Sequence, residues 1–364
     1  MHAWLEVDLN VVRNNFALIR RTVGSGVDVI AVVKTDAYGH GLEKIVETLN
    51  NQGVSMLAVM TLEEARKTRA NSDKPILLMG YLDTKELTDA IDEGYVLSLY
   101  DRDQFAYYQR TAERMGKTIN AHLKVETGLN RLGVMPEDAA EFLTGLHHFP
   151  NLKVEAIFSH LACADKRDQN LAQLRVIQDL LVEIQGKAPL LPIHLVSSYA
   201  LGDFKEGYFD AVRVGLAIYG SDEVIKDLEP ALACKSRVMQ IKEIGVGEGV
   251  SYGRYFITER PTKIAVVSIG YGDGLSQVFR GNMSVLIKGQ KFPIIGQICM
   301  NHIIADVTGA DIKRSDEVVV IGKQKSPDGV EAEITVAELA QQGRIRHHEI
   351  VTRLGRALEK KYID

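Results

Sequence analysis

The 364-residue chain has few cysteines: Cys163, Cys234 and Cys299, an odd number without CxxC spacing. That excludes a disulfide framework and a structural zinc signature, and it makes a reducing cytoplasm the simplest setting. No uncharged stretch approaches the roughly 20 residues that a membrane span needs. Glu6 and Asp8 interrupt the apolar start, so neither a span nor a leader is expected. An excess of basic residues is missing too: 43 Lys and Arg face 48 Asp and Glu, giving a net charge of -5 with the signs interspersed. Nucleic acid is therefore not an expected partner. Low-complexity linkers and internal repeats are also lacking. What remains, 46% hydrophobic and 25% charged, is an ordinary soluble protein long enough for two domains.

Eight short Val-, Ile- and Leu-rich runs fall at 28–34, 54–59, 75–79, 95–99, 119–125, 154–160, 190–196 and 209–214. Segments of helical periodicity separate them, at 40–52, 61–71, 84–93, 101–116, 137–148 and 166–186. Strand then helix, repeated, predicts an α/β fold with a (β/α)8 TIM barrel over residues 1–230, its first few residues free to pack elsewhere. Thr61 and Glu64 form a capping-box pattern at one helix start. Beyond residue 230, alternating strands at 235–244, 263–269, 284–288, 291–295, 302–307 and 317–321 predict a mostly antiparallel β domain over 231–364. Its last segment, 335–360, reads as helical only in parts.

Chemistry in such barrels sits at the C-terminal ends of the strands. Lys34 closes the first strand, Lys124 nears the end of the fifth with Arg131 just beyond, His160 closes the sixth, Ser197 and Ser198 follow the seventh, and Arg213 ends the eighth. A lysine after four apolar residues is partly desolvated, which favours the neutral amine that attacks an aldehyde, although a rim lysine snorkelling to water has the same pattern. Ser198 and the run RVGLAIYG (213–220) lie where barrels commonly bind phosphate, and Gly215 allows close backbone approach. Lysine at one side and a phosphate cradle at the other suggest a phosphorylated aldehyde, the profile of pyridoxal 5'-phosphate (PLP). Arg213 facing the pyridine nitrogen would keep that nitrogen neutral, weakening the cofactor as an electron sink and favouring simple proton exchange.

Eight stretches, AVVKTDAYGHG (31–41), HLKVETGLNRLGV (122–134), FSHLACAD (158–165), HLVSSYA (194–200), RVGLAIYG, GVSYG (249–253), SIGYGDG (268–274) and GQICMN (296–301), resemble in order the motifs of the bacterial PLP-dependent alanine racemases. The resemblance implies a homodimer that interconverts L- and D-alanine by two bases, supplying D-alanine for peptidoglycan. Lys34 would carry PLP and act on the D face. Tyr252 of the partner subunit would act on the L face. Tyr38, Ser198, Gly215 and Leu216 would hold phosphate, Arg213 the pyridine nitrogen, and His160 would link Arg213 to Tyr252. Arg131 and the Met300 amide would meet the substrate carboxylate, with Lys124 carbamylated to orient Arg131.

Four positions depart from the family pattern: Gln277, Gln297, Asn301, and His348, which stands where a phosphate-contacting tyrosine is usual. The first three reduce charge along the substrate corridor and His348 replaces a phenol by a shorter polar group; because the related serine racemases also replace that late tyrosine, serine or broader small-amino-acid use is the alternative the four raise. A metal-dependent hydrolase using Lys124, His160 and His194 would need an HxH pair at the first strand, where Lys34 stands instead. No metal is expected. A non-catalytic PLP-binding protein would not need a second domain carrying Tyr252, and related decarboxylases usually place a carboxylate where Arg213 stands.

Overall fold

The computed structural model describes residues 2–220 and 225–364. After β1 (Ala3–Asp8), eight parallel strands close a barrel: β2 (Asp28–Val32), β3 (Met56–Val59), β4 (Ile76–Leu78), β5 (Val96–Leu99), β6 (Ile119–Lys124), β7 (Leu152–Phe158), β8 (Ile193–Ser197) and β9 (Ala211–Val214), with β9 pairing back onto β2. Each expected strand is present, and the fold class is the one expected. These strands are short and apolar because parallel barrel strands are covered on both faces. Their inward residues, such as Ile30, Val32, Ala58, Leu77, Val96 and Ala211, fill the barrel axis.

The outer layer contains α1 (Leu9–Val23), α2 (Leu42–Leu49), α3 (Leu62–Arg69), α4 (Thr84–Asp92), α5 (Arg102–Met115), α6 (Pro136–Thr144) and α7 (Arg167–Ile184). Caps fix several starts: Asp8 accepts from the amides of Asn10 and Val11, while Asp83 with Glu86 and Asp101 with Gln104 form capping boxes. Among the described residues no helix is long and apolar enough to cross a membrane.

The second sheet contains β10 (Leu232–Ile244), β13 (Thr262–Val267), β14 (Ser284–Ile287), β15 (Gln290–Pro293), β16 (Ile303–Asp306), β17 (Glu317–Lys325), β18 (Glu331–Ile334) and β19 (Lys360–Ile363), with a small hairpin of β11 (Gly249–Val250) and β12 (Phe256–Ile257). It is antiparallel except where β19 lies parallel to β1. The N-terminal strand β1 joins this sheet, not the barrel, pairing Ala3 with Ser236 through Val7 with Leu232. Two helices, α8 (Val336–Gly343) and α9 (His347–Ala357), account for the helical parts of the last segment. Ile350, Val351 and Leu354 of α9 sit in the core of the second sheet, and its Gly355 touches the barrel loop at Gly39.

Candidate active site

The barrel ends deliver their polar groups to one mouth. A cavity of about 470 Å³ opens there, bordered by Lys34, Tyr38, Lys124, Arg131, His160, Ser198, Arg213, Gly215, Leu216 and His348. Four of these side chains are cationic, and no Asp or Glu lies on the described wall. Volume alone does not select this site. A larger hollow of about 850 Å³ lies outside the barrel between α5 and α6, but its Arg102 is already paired with Asp138 and Glu141.

Lys34 begins an unusual piece of backbone. Thr35, Asp36, Ala37 and Tyr38 all adopt left-handed conformations, with φ between 51° and 56°. Such a turn costs about 1–2 kcal/mol per residue for non-glycine side chains, so it persists only if its surroundings hold it. Asp36 accepts from the Leu42 amide at 2.8 Å and pairs with Lys360 at 2.9 Å. Gly39 packs against α9 so closely that a Cβ there would meet the Val351 carbonyl at 2.4 Å. The capping box expected of Thr61 and Glu64 forms only in part. Thr61 Oγ1 accepts from the Glu64 amide at 3.2 Å. The Glu64 carboxylate, however, accepts from Met60 N at 2.9 Å and from Thr35 N at 2.6 Å, and so serves the strained turn.

At the far side, the buried Ser198 Oγ accepts from the amides of Gly215 (3.0 Å) and Ala217 (3.2 Å). Gly215 is required as glycine, since a Cβ would lie 2.6 Å from the Tyr38 hydroxyl. That contact brings Tyr38, Ser198 and Gly215 into one cradle. Burial raises the Tyr38 phenol to about 12, so at neutral pH it is a protonated donor.

Arg213 is buried at the end of β9. Its guanidinium donates to His194 Nδ1 (2.8 Å), the His194 carbonyl (2.7 Å), the Ser159 carbonyl and His160 Nδ1 (3.1 Å). Among the described residues no acceptor meets its Nε–H. Burial and Arg131 lower Arg213 to about 9, and it remains charged at neutral pH. Because both histidines accept at Nδ1, their protons are on Nε2, and His194 Nε2–H donates to His122 Nδ1 at 3.0 Å. Burial, then Arg213, pushes His160 well below its ordinary value. His194 is therefore committed to Arg213 and His122, which removes it from the metal-hydrolase alternative.

Burial, then Arg131, lowers Lys34, while Glu64 opposes the shift. Lys34 has no ion-pair partner among the described residues. Lys124, buried over the Phe158 ring, falls to about 8 through burial, Arg131 and Arg213. Burial alone would raise Glu126, yet the amides of Asn130, Gly128, Leu129 and Arg131 hold it below its ordinary value, which orders the loop carrying Arg131. His348, on the first turn of α9, borders the cavity, and its Nδ1 is buried without a partner.

Tyr252 and Met300 are elsewhere in the chain, on an exposed face of the second sheet, with Tyr252 75% and Met300 56% accessible. Three motifs converge there. Ser251 Oγ donates to the Gln297 carbonyl at 2.9 Å, and the Tyr271 and Gly272 amides donate to the carbonyls of Cys299 and Met300. Three of the four departures, Gln277, Gln297 and Asn301, sit on the same face, while His348 borders the barrel cavity: Gln297 donates to Gln277 at 3.1 Å and accepts from Arg280 at 3.0 Å. The expected loss of charge is thus offset, because Arg280 supplies a guanidinium that sequence position alone did not reveal. Glu64 was also missed as a site residue, since its spacing to Thr61 is fully explained by helix capping.

A mouth so charged favours an anionic ligand, and a carbonyl on that ligand would be open to the Lys34 amine. The residues present fit a phosphorylated aldehyde such as PLP: the Tyr38–Ser198–Gly215 cradle would take its phosphate and the unpaired Lys34 would face its aldehyde. The chain belongs to the alanine racemase family, whose N-terminal domain model matches residues 7–223 and whose C-terminal domain model matches 231–362. It is 35% identical over 370 residues to alanine racemase 2 of Caldanaerobacter subterraneus subsp. tengcongensis, covering 99% of this chain and 94% of the relative. Among solved structures, the alanine racemase of Clostridium difficile 630 superposes with a TM-score of 0.91 at 28% identity, covering 100% of this chain and 96% of that one. The alanine racemase of Bartonella henselae with covalently bound pyridoxal phosphate gives a TM-score of 0.90 at 27% identity, covering all of both chains.

Proposed function

We propose that the protein is a PLP-dependent alanine racemase that interconverts L- and D-alanine, with D-alanine for peptidoglycan as its product in the cell. The observation that carries this reading is the unpaired, desolvated Lys34 amine in a cationic mouth whose opposite wall is the Tyr38–Ser198–Gly215 cradle. When bound, PLP supplies the electron sink that acidifies the substrate's α-hydrogen. Racemisation then needs a proton removed from one face of the α-carbon and one delivered to the other. Lys34 moves the proton on the D face. Tyr252 does so on the L face, and because it is exposed and outside its own chain's cavity, it comes from a second copy of the chain. The exposed Tyr255, Ile257, Tyr271 and Val278 around it support that assignment, since such a surface favours coverage by a partner.

Arg213 can donate but not accept, so its Nε–H suits the unprotonated pyridine nitrogen. Arg131 and the Met300 amide receive the substrate carboxylate, while Leu216 and His348 complete the phosphate end. Lys124, at about 8, retains a neutral fraction near pH 7 whose nitrogen can bond CO₂, releasing one N–H proton to solvent, and the resulting carbamate anion would pair with Arg131. The cytoplasm is the compartment this function implies.

Chiral chromatography of L-alanine and L-serine reactions, side by side with a Lys34→Ala control, tests the reading. Dominant turnover of L-alanine and an inactive control are expected. Equal or faster L-serine turnover would make Gln277, Gln297, Asn301 and His348 specificity determinants instead. No turnover of either by PLP-loaded protein would overturn the enzyme assignment.

A further inference from the structure

Glu64 lies on α3, behind the wall of the cavity, and its position at the third residue of a helix is that of a routine capping partner. The structure gives it another task. One carboxylate oxygen takes the Met60 amide at 2.9 Å and the other takes the Thr35 amide at 2.6 Å, tying the loop after β3 to the residue that follows Lys34. Thr35 is the first residue of the left-handed turn, and a β-branched side chain is especially unsuited to positive φ. Its amide therefore points away from any regular helical partner and needs an acceptor supplied from outside the turn. Glu64 is that acceptor.

We propose that Glu64 is a positioning residue for Lys34, holding the start of the left-handed turn and setting a negative charge behind the amine in an otherwise cationic mouth. The inference rests on the reading of Lys34 as the amine that carries PLP and moves the D-face proton. The charges facing Lys34 from the mouth are Arg131 and Lys124, while His160 and His348 face it as neutral imidazoles held down by burial and the surrounding cations; Glu64 acts from behind and opposes Arg131.

Two readouts separate this role from mere support of α3. The first is the α-deuterium isotope effect on racemisation, measured from D-alanine and from L-alanine. With Glu64→Gln, one of the two backbone amides loses its acceptor and the charge is gone. Transfer to Lys34 then becomes more limiting, so the isotope effect should rise from D-alanine more than from L-alanine, with turnover down roughly tenfold or more. The second is the pH dependence of the visible absorbance of PLP bound at Lys34: removing an anion makes protonation of the lysine nitrogen harder, so the midpoint should move to lower pH. Thr61→Ala removes the helix cap without touching the carboxylate, and both readouts should stay at wild-type values. Should Glu64→Gln not fold, Glu64→Asp keeps the charge but is one methylene short, and it should show the isotope asymmetry with little shift of the midpoint.

Wild-type behaviour of the foldable Glu64 variant in both readouts would overturn the proposal, as would the same changes in Thr61→Ala. Wild-type protein lacking PLP absorbance at Lys34 would overturn the functional reading and this inference with it. Normal wild-type absorbance beside an unresponsive Glu64 variant would overturn this inference alone.

Discussion

At the scale of single residues, the site is organised around keeping histidines neutral beside fixed positive charge. Arg213 takes the Nδ1 lone pairs of His160 and His194, and His194 in turn occupies Nδ1 of His122. Burial and Arg213 hold His122 at about 4, and burial holds His40 at about 4 as well. His160 and His194 are held well below their ordinary value by burial and Arg213 too. An unfolded chain protonates these side chains below about pH 6.5, whereas the native one does not. Their contribution to stability is therefore complete above about pH 6.5 and is lost as pH falls towards 4. Denaturant unfolding of the PLP-loaded protein should lose up to about 1.4 kcal/mol per pH unit for each such histidine across that window. A flat profile between about pH 7 and pH 5 would mean that the histidines are already protonated in the native state, contradicting the hydrogen-bond directions around Arg213.

At the scale of elements, the left-handed turn after β2 and helix α9 form one unit although 300 residues of chain separate them. Gly39 and Gly355 are in backbone contact: a Cβ on Gly355 would lie 2.2 Å from the Gly39 Cα. The neighbouring atoms are backbone and cannot rotate away. Gly355→Ala should therefore separate α9 from the turn, costing about 1–3 kcal/mol in denaturant unfolding, with weaker retention of PLP because His348 lies on the same helix. Unchanged stability would show that the contact is easily relaxed. This unit also marks where sequence reading stopped. The barrel strands, most outer helices and the placement of Lys34, Lys124, His160, Ser198 and Arg213 at one mouth were legible, because apolar runs and strand ends are local signals. Helix α1 carries an amphipathic pattern and an Asp8 cap but precedes the first barrel strand, and β1 and β19 are strands only because each completes a sheet built elsewhere. The left-handed turn was illegible for a different reason: four ordinary residues adopt it only because Glu64, Lys360 and α9 hold them there.

At the scale of the molecule, the two bases proposed for racemisation lie on different surfaces of one chain. The mouth holds Lys34, while the face built from the 249–253, 268–274 and 296–301 motifs exposes Tyr252 and Met300. A dimer with two-fold symmetry would place each such face over the other chain's mouth, giving two composite sites per pair. Complementation tests this arrangement without any structure of the dimer. Lys34→Ala and Tyr252→Phe homodimers should each be nearly inactive, because every site lacks one base. When the two are unfolded and refolded together in equal amounts, random pairing makes half of the dimers mixed. In a mixed dimer one site has neither base, and the other combines the native Lys34 of one chain with the native Tyr252 of its partner. Recovered activity should therefore reach about a quarter of wild type. If both bases acted within one chain, every chain in the mixture would remain defective and activity would not recover. Recovery near the expected fraction would place Tyr252 in the partner's mouth, and its absence would require a movement bringing Tyr252 to the Lys34 cavity of its own chain.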